Sequence, residues 1–459
     1  MSAELDVWMN GRHVGVWRKL RGNRDQFVYD AGWLADPQFR PLSLSLPVTA
    51  SREITSSLVG NYFDNLLPDN AQIRERMRTR YRLRSTEAFD LLEAIGRDCV
   101  GAVQLMPPGK PPVGWDRIES RTLETQDVEA ILHAVPTTAG PFGGQADADE
   151  DFRISIAGAQ EKTALLRIGN IWHRPLGATP TTHILKLPLG IVGGALQLDL
   201  SDSVDNEWLC TALLEALKLP AARTEIATFG DQRVLVVERF DRLWQNVGKR
   251  DPTTARFKAP PDAWIARLPQ EDFCQATGTP ADTKYEKDGG PGMKPILRIL
   301  SQGAAVERDT SLFALSQLVF WFLAATDGHA KNFSIFLQRE GYELTPFYDV
   351  LSAWPVIGKK SRQLQPQKVK MAMAMRTGNR AHYKWDEIQP RHFKALAQSL
   401  PDPDLWSKMN DTARLVPTAI AAVEQLLPAD LKQSVWTSVT DGLAKKAEQF
   451  LRGAESLRD

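Results

Sequence analysis

Cysteine is scarce in this chain of 459 residues. Only Cys99, Cys210 and Cys274 occur, far apart and odd in number, which argues against a disulfide framework or a C-x-x-C zinc site. Long hydrophobic runs are missing too. The longest, Leu312–Ala325, includes Ser316 and Gln317; it is too short to cross a bilayer and reads as a buried helix. The amino terminus, MSAELDVWMNG, has neither the basic start nor the apolar core of a signal peptide, so the cytoplasm is the expected compartment. Nor is there an excess of charge. Lys plus Arg and Asp plus Glu both total 56, which leaves only local patches to attract nucleic acid or a membrane.

What is present is a globular composition, 43% hydrophobic and 24% charged, in a chain too long for one ordinary core. Leu5–Met9 and Val14–Trp17 flank Asn10-Gly11, a hairpin signal because both turn positions favour positive φ. Ile54 to Asp90 reads as helical, with Leu58, Tyr62, Phe63 and Leu66 at helical spacing and a break at Pro68. A following helical run carries Arg74, Arg76, Arg78, Arg80, Arg82 and Arg84, with Glu75 and Glu87 as nearby partners. Pro107 to Pro112 marks a boundary, and Gly140 to Asp151 is a polar stretch. Tightly spaced strands then follow at Phe152–Ile156, Thr163–Ile168, Ile171–His173, His183–Leu187 and Arg233–Val237. An amphipathic helix is expected at Val204–Leu217 and a polar surface insertion at Gln245–Trp264. Beyond Gln270 helices dominate, apart from strands near Ser334–Leu337 and Tyr342–Thr345.

The chemistry concentrates in ATDGHAKNF, residues 325–333, and TPFYDV, residues 345–350. Asp327 and Asn332 stand in D-x-x-x-x-N spacing, and Asp349 follows a strand hairpin. Phosphoryl transfer to a hydroxyl needs such a set: a carboxylate to accept the proton, then an amide oxygen and a second carboxylate on magnesium. Asp/Asn/Gly segments are also ordinary turns, so the upstream residues decide. Lys186 lies in the apolar strand THILKLP, where an ammonium needs a partner, and Glu207 lies in the helix that follows. This is the order of a kinase amino-terminal lobe. The phosphate loop would be Ala157, Gly158, Ala159, Gln160, Glu161 and Lys162; its single glycine meets neither G-x-G-x-x-G nor G-x-x-x-x-G-K-[ST]. Glu238, Arg239 and Phe240 end a strand where a hinge would meet adenine. His329 reads as a supporting loop residue, and His173 and His183 as packed or exposed neutral groups. A second basic cluster (Lys359, Lys360, Arg362, Lys368, Lys370, Arg376 and Arg380) falls in an expected loop, a candidate for DNA phosphates.

Taken in order, FRISIAGAQEKTALL, THILKLP, SVDNEW, VVERFDR, LPQEDFCQ, KYEKDGGPG, ATDGHAKNFS and LTPFYDV resemble the HipA serine/threonine kinases, the toxins of HipBA-type toxin–antitoxin pairs. The resemblance implies an α+β, two-lobed protein-kinase-like fold with a β-rich N-lobe, an all-α C-lobe and an additional N-terminal α/β domain. The corresponding bounds are 1–110, 111–245 and 246–459. It implies ATP and Mg2+ as cofactors, Asp327 as base, Asn332 and Asp349 on the metal, and Lys186 on the nucleotide with Glu207 positioning it. Residues 157–162, 238–240 and 329–332 (His329, Ala330, Lys331, Asn332), with Tyr348 and Asp349, would contact ATP. Ser155 matches the family's autophosphorylated serine, whose modification expels the phosphate loop. The family's protein substrate is glutamate–tRNA ligase, whose phosphorylation slows translation and yields persister cells. Its partner is HipB, a helix-turn-helix antitoxin that co-represses the operon on operator DNA, with no membrane involved. Two alternatives are a lipid or small-molecule kinase, since D-x-H-x-x-N also resembles phosphatidylinositol kinases, and a non-catalytic DNA-bound co-repressor.

Overall fold

The computed structural model describes residues 3–22, 24–137, 158, 160–192, 197–255, 257–378 and 380–457. Ser155, Ala157, Ala159 and the strand expected at 152–156 lie outside them. The chain forms two compact units. The first comprises Met1–Leu187, Ala227–Asp282 and Phe336–Arg339, and the second Pro188–Ile226, Thr283–Ile335 and Glu340–Asp459.

The first unit opens with an antiparallel sheet of five strands in the spatial order Glu53–Thr55, Arg24–Tyr29, Arg12–Leu20, Ala3–Met9, Val103–Met106. Asn10 at φ 46° and Gly11 at φ 75° make the first hairpin turn, a conformation whose twist matches that of the flanking strands. Alternating Leu5, Val7 and Met9 face inward with Trp17, Phe27 and Tyr29, and meet Val59, Tyr62 and Phe63 of helix Ser57–Asp64. Trp17 stacks on Phe63 at 4.1 Å and donates its indole N–H to Asp25 at 2.8 Å. Ile54 is a strand residue, not the start of a helix, because Phe27 and Ile54 are register partners at the sheet edge. The arginine helix runs from Ala71 to Arg80. Arg82 takes φ 52° beyond it, so Arg82 and Arg84 are not helical as expected.

A second sheet sets Gln232–Glu238, His183–Lys186, Lys162–Ile168, Ile171–Pro175 and Ser120–Leu123 side by side. Leu165, Leu185, Val234 and Val236 bury one face with Val128, Ile131 and Leu132 of helix Thr125–Ala134. Each such side chain contributes roughly 1.5–3 kcal/mol. A buried ion cluster stitches this sheet to the first. Asp98 accepts from Arg242 at 2.9 Å, Arg239 at 3.3 Å, Arg267 at 3.3 Å and the Thr181 hydroxyl at 2.7 Å. Asp241 holds Arg239 and accepts from the Gly101 N–H at 2.7 Å. Burial opposes ionisation of Asp98, but Arg242, Arg239 and Arg267 hold its carboxyl well below the usual range. The Gln245–Trp264 segment closes a two-stranded ribbon, Arg242–Gln245 against Trp264–Arg267.

The second unit is mainly helical: Ser203–Ala216, Met293–Leu300, Val306–Leu323, Pro390–Gln398, Leu405–Glu424 and Gln433–Glu455. Val306–Leu323 is buried, as its apolar sequence predicts, and no described helix is long and apolar enough to cross a membrane. Ser203–Ala216 is not the amphipathic helix expected. It is buried on nearly every side, Asp205, Asn206 and Glu207 included. Lys370–Thr377 and Arg380–Lys384 form a β-hairpin, where the basic composition suggests a loop. The strand carries buried Met371, Ala372, Met373, Ala374 and Met375, so burial, not charge, decides its conformation.

Candidate active site

The loop carrying Asp327 begins where helix Val306–Leu323 stops. Ala324 caps it in the left-handed region at φ 49°, and the N–H of Ala325 bonds back to Phe320 at 2.8 Å. The Asp327 carbonyl then gathers the loop around itself. It accepts the backbone N–H of His329 at 2.7 Å and the side-chain amide of Asn332 at 2.8 Å, while the Asn332 N–H reaches the His329 carbonyl at 2.9 Å. The motif is thus a turn closed on its own backbone, as Asp/Asn/Gly segments commonly are. Asn332 spends its amide N–H2 on the fold, which turns its amide oxygen elsewhere. The Asp327 carboxylate is exposed and accepts the Tyr285 hydroxyl at 2.5 Å. His329, Lys331 and Asn332 are buried, the His329 ring lying 5.0 Å edge-on from that of Tyr285.

Asp349 arrives on a separate segment that is fastened to this loop. The Thr345 N–H bonds to the Ser334 carbonyl at 3.0 Å. The Tyr348 hydroxyl donates to the Lys331 carbonyl at 2.8 Å and lies 2.5 Å from the Ser334 hydroxyl. Asp349 itself adopts φ 60°, which costs a non-glycine residue roughly 1–2 kcal/mol and is held by its surroundings. The structure thus brings Asp327, His329, Ala330, Lys331, Asn332, Tyr348 and Asp349 into one neighbourhood of the second unit.

In the first unit, Lys162 and Lys186 are register partners on adjacent antiparallel strands, so their side chains leave the same face. Lys186 is 6% exposed. Gln160 donates to the Leu187 carbonyl at 2.5 Å, and the Leu187 N–H returns to Glu161 at 3.1 Å, which folds the loop over the end of the lysine strand. Gly158 takes φ 110° and accepts the Asp69 N–H at 3.2 Å. Glu161 pairs with Arg76. The arginine helix therefore finds a partner on the loop as well as its neighbour Glu75, which holds Arg78 at 2.6 Å. Glu238 ends its strand, the Arg239 guanidinium belongs to the Asp98 cluster, and the Arg239 N–H bonds to Thr182 at 2.9 Å. The Phe240 ring meets Phe336 edge-on at 5.8 Å. Burial, with Arg167 nearby, holds His183 down to about 3, so it is neutral at ordinary pH.

Sequence reasoning assigned no role to Tyr285. It stands in KYEKDGGPG, a segment whose order pointed to a kinase but whose residues carry no recognisable ligand pattern. A magnesium ion fits the donors of the second unit. The Asn332 amide oxygen and Asp349 carboxylate are hard oxygen ligands of the kind it requires, and the Asn332 orientation is already fixed by the loop.

Comparison with known proteins agrees with this architecture. The HipA-like C-terminal domain matches residues 154–426 and the HipA N-terminal domain residues 5–106. A protein of Sinorhizobium fredii named "Putative kinase Y4mE" is 33% identical over 384 residues, covering 82% of this chain and 81% of its own. The serine/threonine-protein kinase toxin HipA of Shewanella oneidensis is 26% identical over 441 residues, covering 91% and 89%. A solved structure of HipA from Shewanella oneidensis MR-1, in a complex with HipB and its operator DNA, superposes with TM-score 0.76 at 23% identity and covers 99% of both chains. The two-lobed kinase-like fold with an additional N-terminal domain is thereby established, and this chain belongs to the HipA family.

Proposed function

We infer that this chain is an ATP-dependent serine/threonine protein kinase, the toxin of a toxin–antitoxin pair. The observation that carries the reading is the loop wound on the Asp327 carbonyl, which presents an exposed carboxylate and, from Asn332, a fixed amide oxygen. Asp327 accepts the proton of the substrate hydroxyl as that oxygen bonds to the γ-phosphorus, and the bond to the β–γ bridging oxygen breaks to release ADP. Lys162 and Lys186 offer two ammoniums on one sheet face to the phosphates, with Gly158, Gln160 and Glu161 in the loop beside them. Asn332 and Asp349 would hold Mg2+, which supplies neutralising charge to the phosphates when bound. Glu207 is assigned to orienting Lys186, and Glu238 to Phe240 to the adenine.

Three finer assignments belong to the same proposal. Ser155 is the autophosphorylated residue, glutamate–tRNA ligase is the protein substrate, and a HipB-like antitoxin carries the chain to operator DNA. The last is supported by the solved HipA relative, which was captured with HipB and its operator. The cytoplasm is the compartment in which these partners would meet.

Incubation with ATP labelled at the γ-phosphate and a protein acceptor tests the reading. The chain transfers label to serine. Asp327→Asn keeps an acceptor for Tyr285 but lacks the base, and is expected to lower the rate by about 10² to 10⁴. Label on lipid or a small metabolite instead would replace the protein-kinase reading. No turnover, with antitoxin and DNA still bound, would leave a co-repressor.

A further inference from the structure

The contact between Tyr285 and Asp327 is unusual in its placement. An exposed carboxylate on a loop ordinarily samples several rotamers, and holding it still costs entropy. Here a phenol hydroxyl reaches Oδ1 at 2.5 Å, within the short range of hydrogen bonds to an ionised acceptor. A carboxylate offers about four acceptor directions, so one bond to Oδ1 fixes the group and leaves Oδ2 able to receive a proton.

Tyr285 is itself held from three sides. Its own carbonyl accepts the N–H of Asp288 at 3.0 Å and of Gly290 at 2.9 Å, so the KDGG turn is wound on it. Its ring stands edge-on to His329 at 5.0 Å, with the Lys284 and Lys287 ammoniums 5.6 and 5.7 Å from the ring centroid. The next residue, Glu286, accepts the Ala374 N–H at 2.7 Å and pairs with Arg376, pinning the segment to the Lys370–Thr377 strand. A residue that served only to fill space would need none of the hydroxyl geometry.

We propose that Tyr285 is the positioning residue for the base: its hydroxyl locks the Asp327 carboxylate in the rotamer that receives the substrate proton. Glu286, clamped to the hairpin, keeps Tyr285 in place. This rests on the kinase reading of Asp327, and the experiment separates the two.

The full chain is assayed with labelled ATP and a generic serine-containing acceptor protein, at varied ATP, beside its Tyr285→Phe variant. Phenylalanine retains the ring against His329 and removes the hydroxyl alone. The expected result is a kcat about ten- to a hundredfold lower, the scale on which misplacing a catalytic group acts, with the KM for ATP and the melting temperature unchanged. Glu286→Gln, which keeps an acceptor for Ala374 but weakens the Arg376 pair, is expected to shift kcat the same way by a smaller factor. It supplies the answer if the phenylalanine variant does not fold. A Tyr285→Phe enzyme with wild-type kcat overturns the proposal, as does a rise in KM at constant kcat, which would make Tyr285 a ligand contact. No transfer by the wild-type chain removes the kinase reading, and this proposal with it.

Discussion

Glu271 shows how strongly one carboxyl can depend on its surroundings. It is fully buried, its Oε1 accepting the Leu44 N–H at 2.9 Å. Burial, with a smaller contribution from Asp272, pushes it from its ordinary 4.5 up to about 8. Native Glu271 therefore keeps a proton that the unfolded chain releases above about pH 4.5. Its stabilising contribution is fully present below that value and is lost as pH rises towards 8, with a slope of about 1.4 kcal/mol per pH unit. Glu271→Gln, which mimics the protonated form, is expected to flatten this decline. Urea midpoints across the interval would show it, and equal slopes in both proteins would refute it. Lys446 is a second case, sandwiched by Trp321 at 4.5 Å and Trp385 at 3.8 Å and lowered by burial to about 8. Its neighbours come from distant parts of the chain, so no local pattern announces it.

At the scale of elements, what could be read in advance was what local chemistry fixes. The Asn10-Gly11 hairpin follows from two residues that tolerate positive φ. Gly11→Ala is expected to lose more than about 1–2 kcal/mol, because alanine is strained at φ 75° and its methyl would come within 2.1 Å of the Trp115 ring nitrogen. A urea titration with an unchanged midpoint would contradict this. The strands at 162–168, 183–186 and 232–238 were legible from their short apolar stretches, and the D-x-x-x-x-N loop from its spacing. Two elements were not. Ser203–Ala216 buries charged Asp205 and Glu207 together with its apolar residues, so composition mimics a surface helix where there is none. The Lys370–Thr377 strand hides apolar Met371 to Met375 behind basic ends. Both depend on what packs against them, which periodicity cannot report. Tyr285 was missed for the same reason: its partner Asp327 is 42 residues away.

On the scale of the whole molecule, the first unit is continuous across the Pro107–Pro112 segment because of the Asp98 cluster. Asp98, Thr181, Arg239, Asp241, Arg242 and Arg267 come from widely separated stretches and are all buried. Removing one member leaves charge without compensation in the interior. Asp98→Ala is expected to cost roughly 3–5 kcal/mol, measured as a lower urea midpoint for the intact chain. A variant as stable as the parent would show that the cluster contributes no cohesion.

The ties from Asp69 to Gly158 and from Arg76 to Glu161 have a mechanical meaning. The loop assigned to the phosphates is moored to the helical segment after Pro68, in a part of the chain that contributes no proposed chemistry. Linkage requires such a mooring to pull in both directions. A protein that gripped Ala71–Arg80 could slacken or tauten the loop from a distance, and filling the loop would stiffen the surface on which that protein lands.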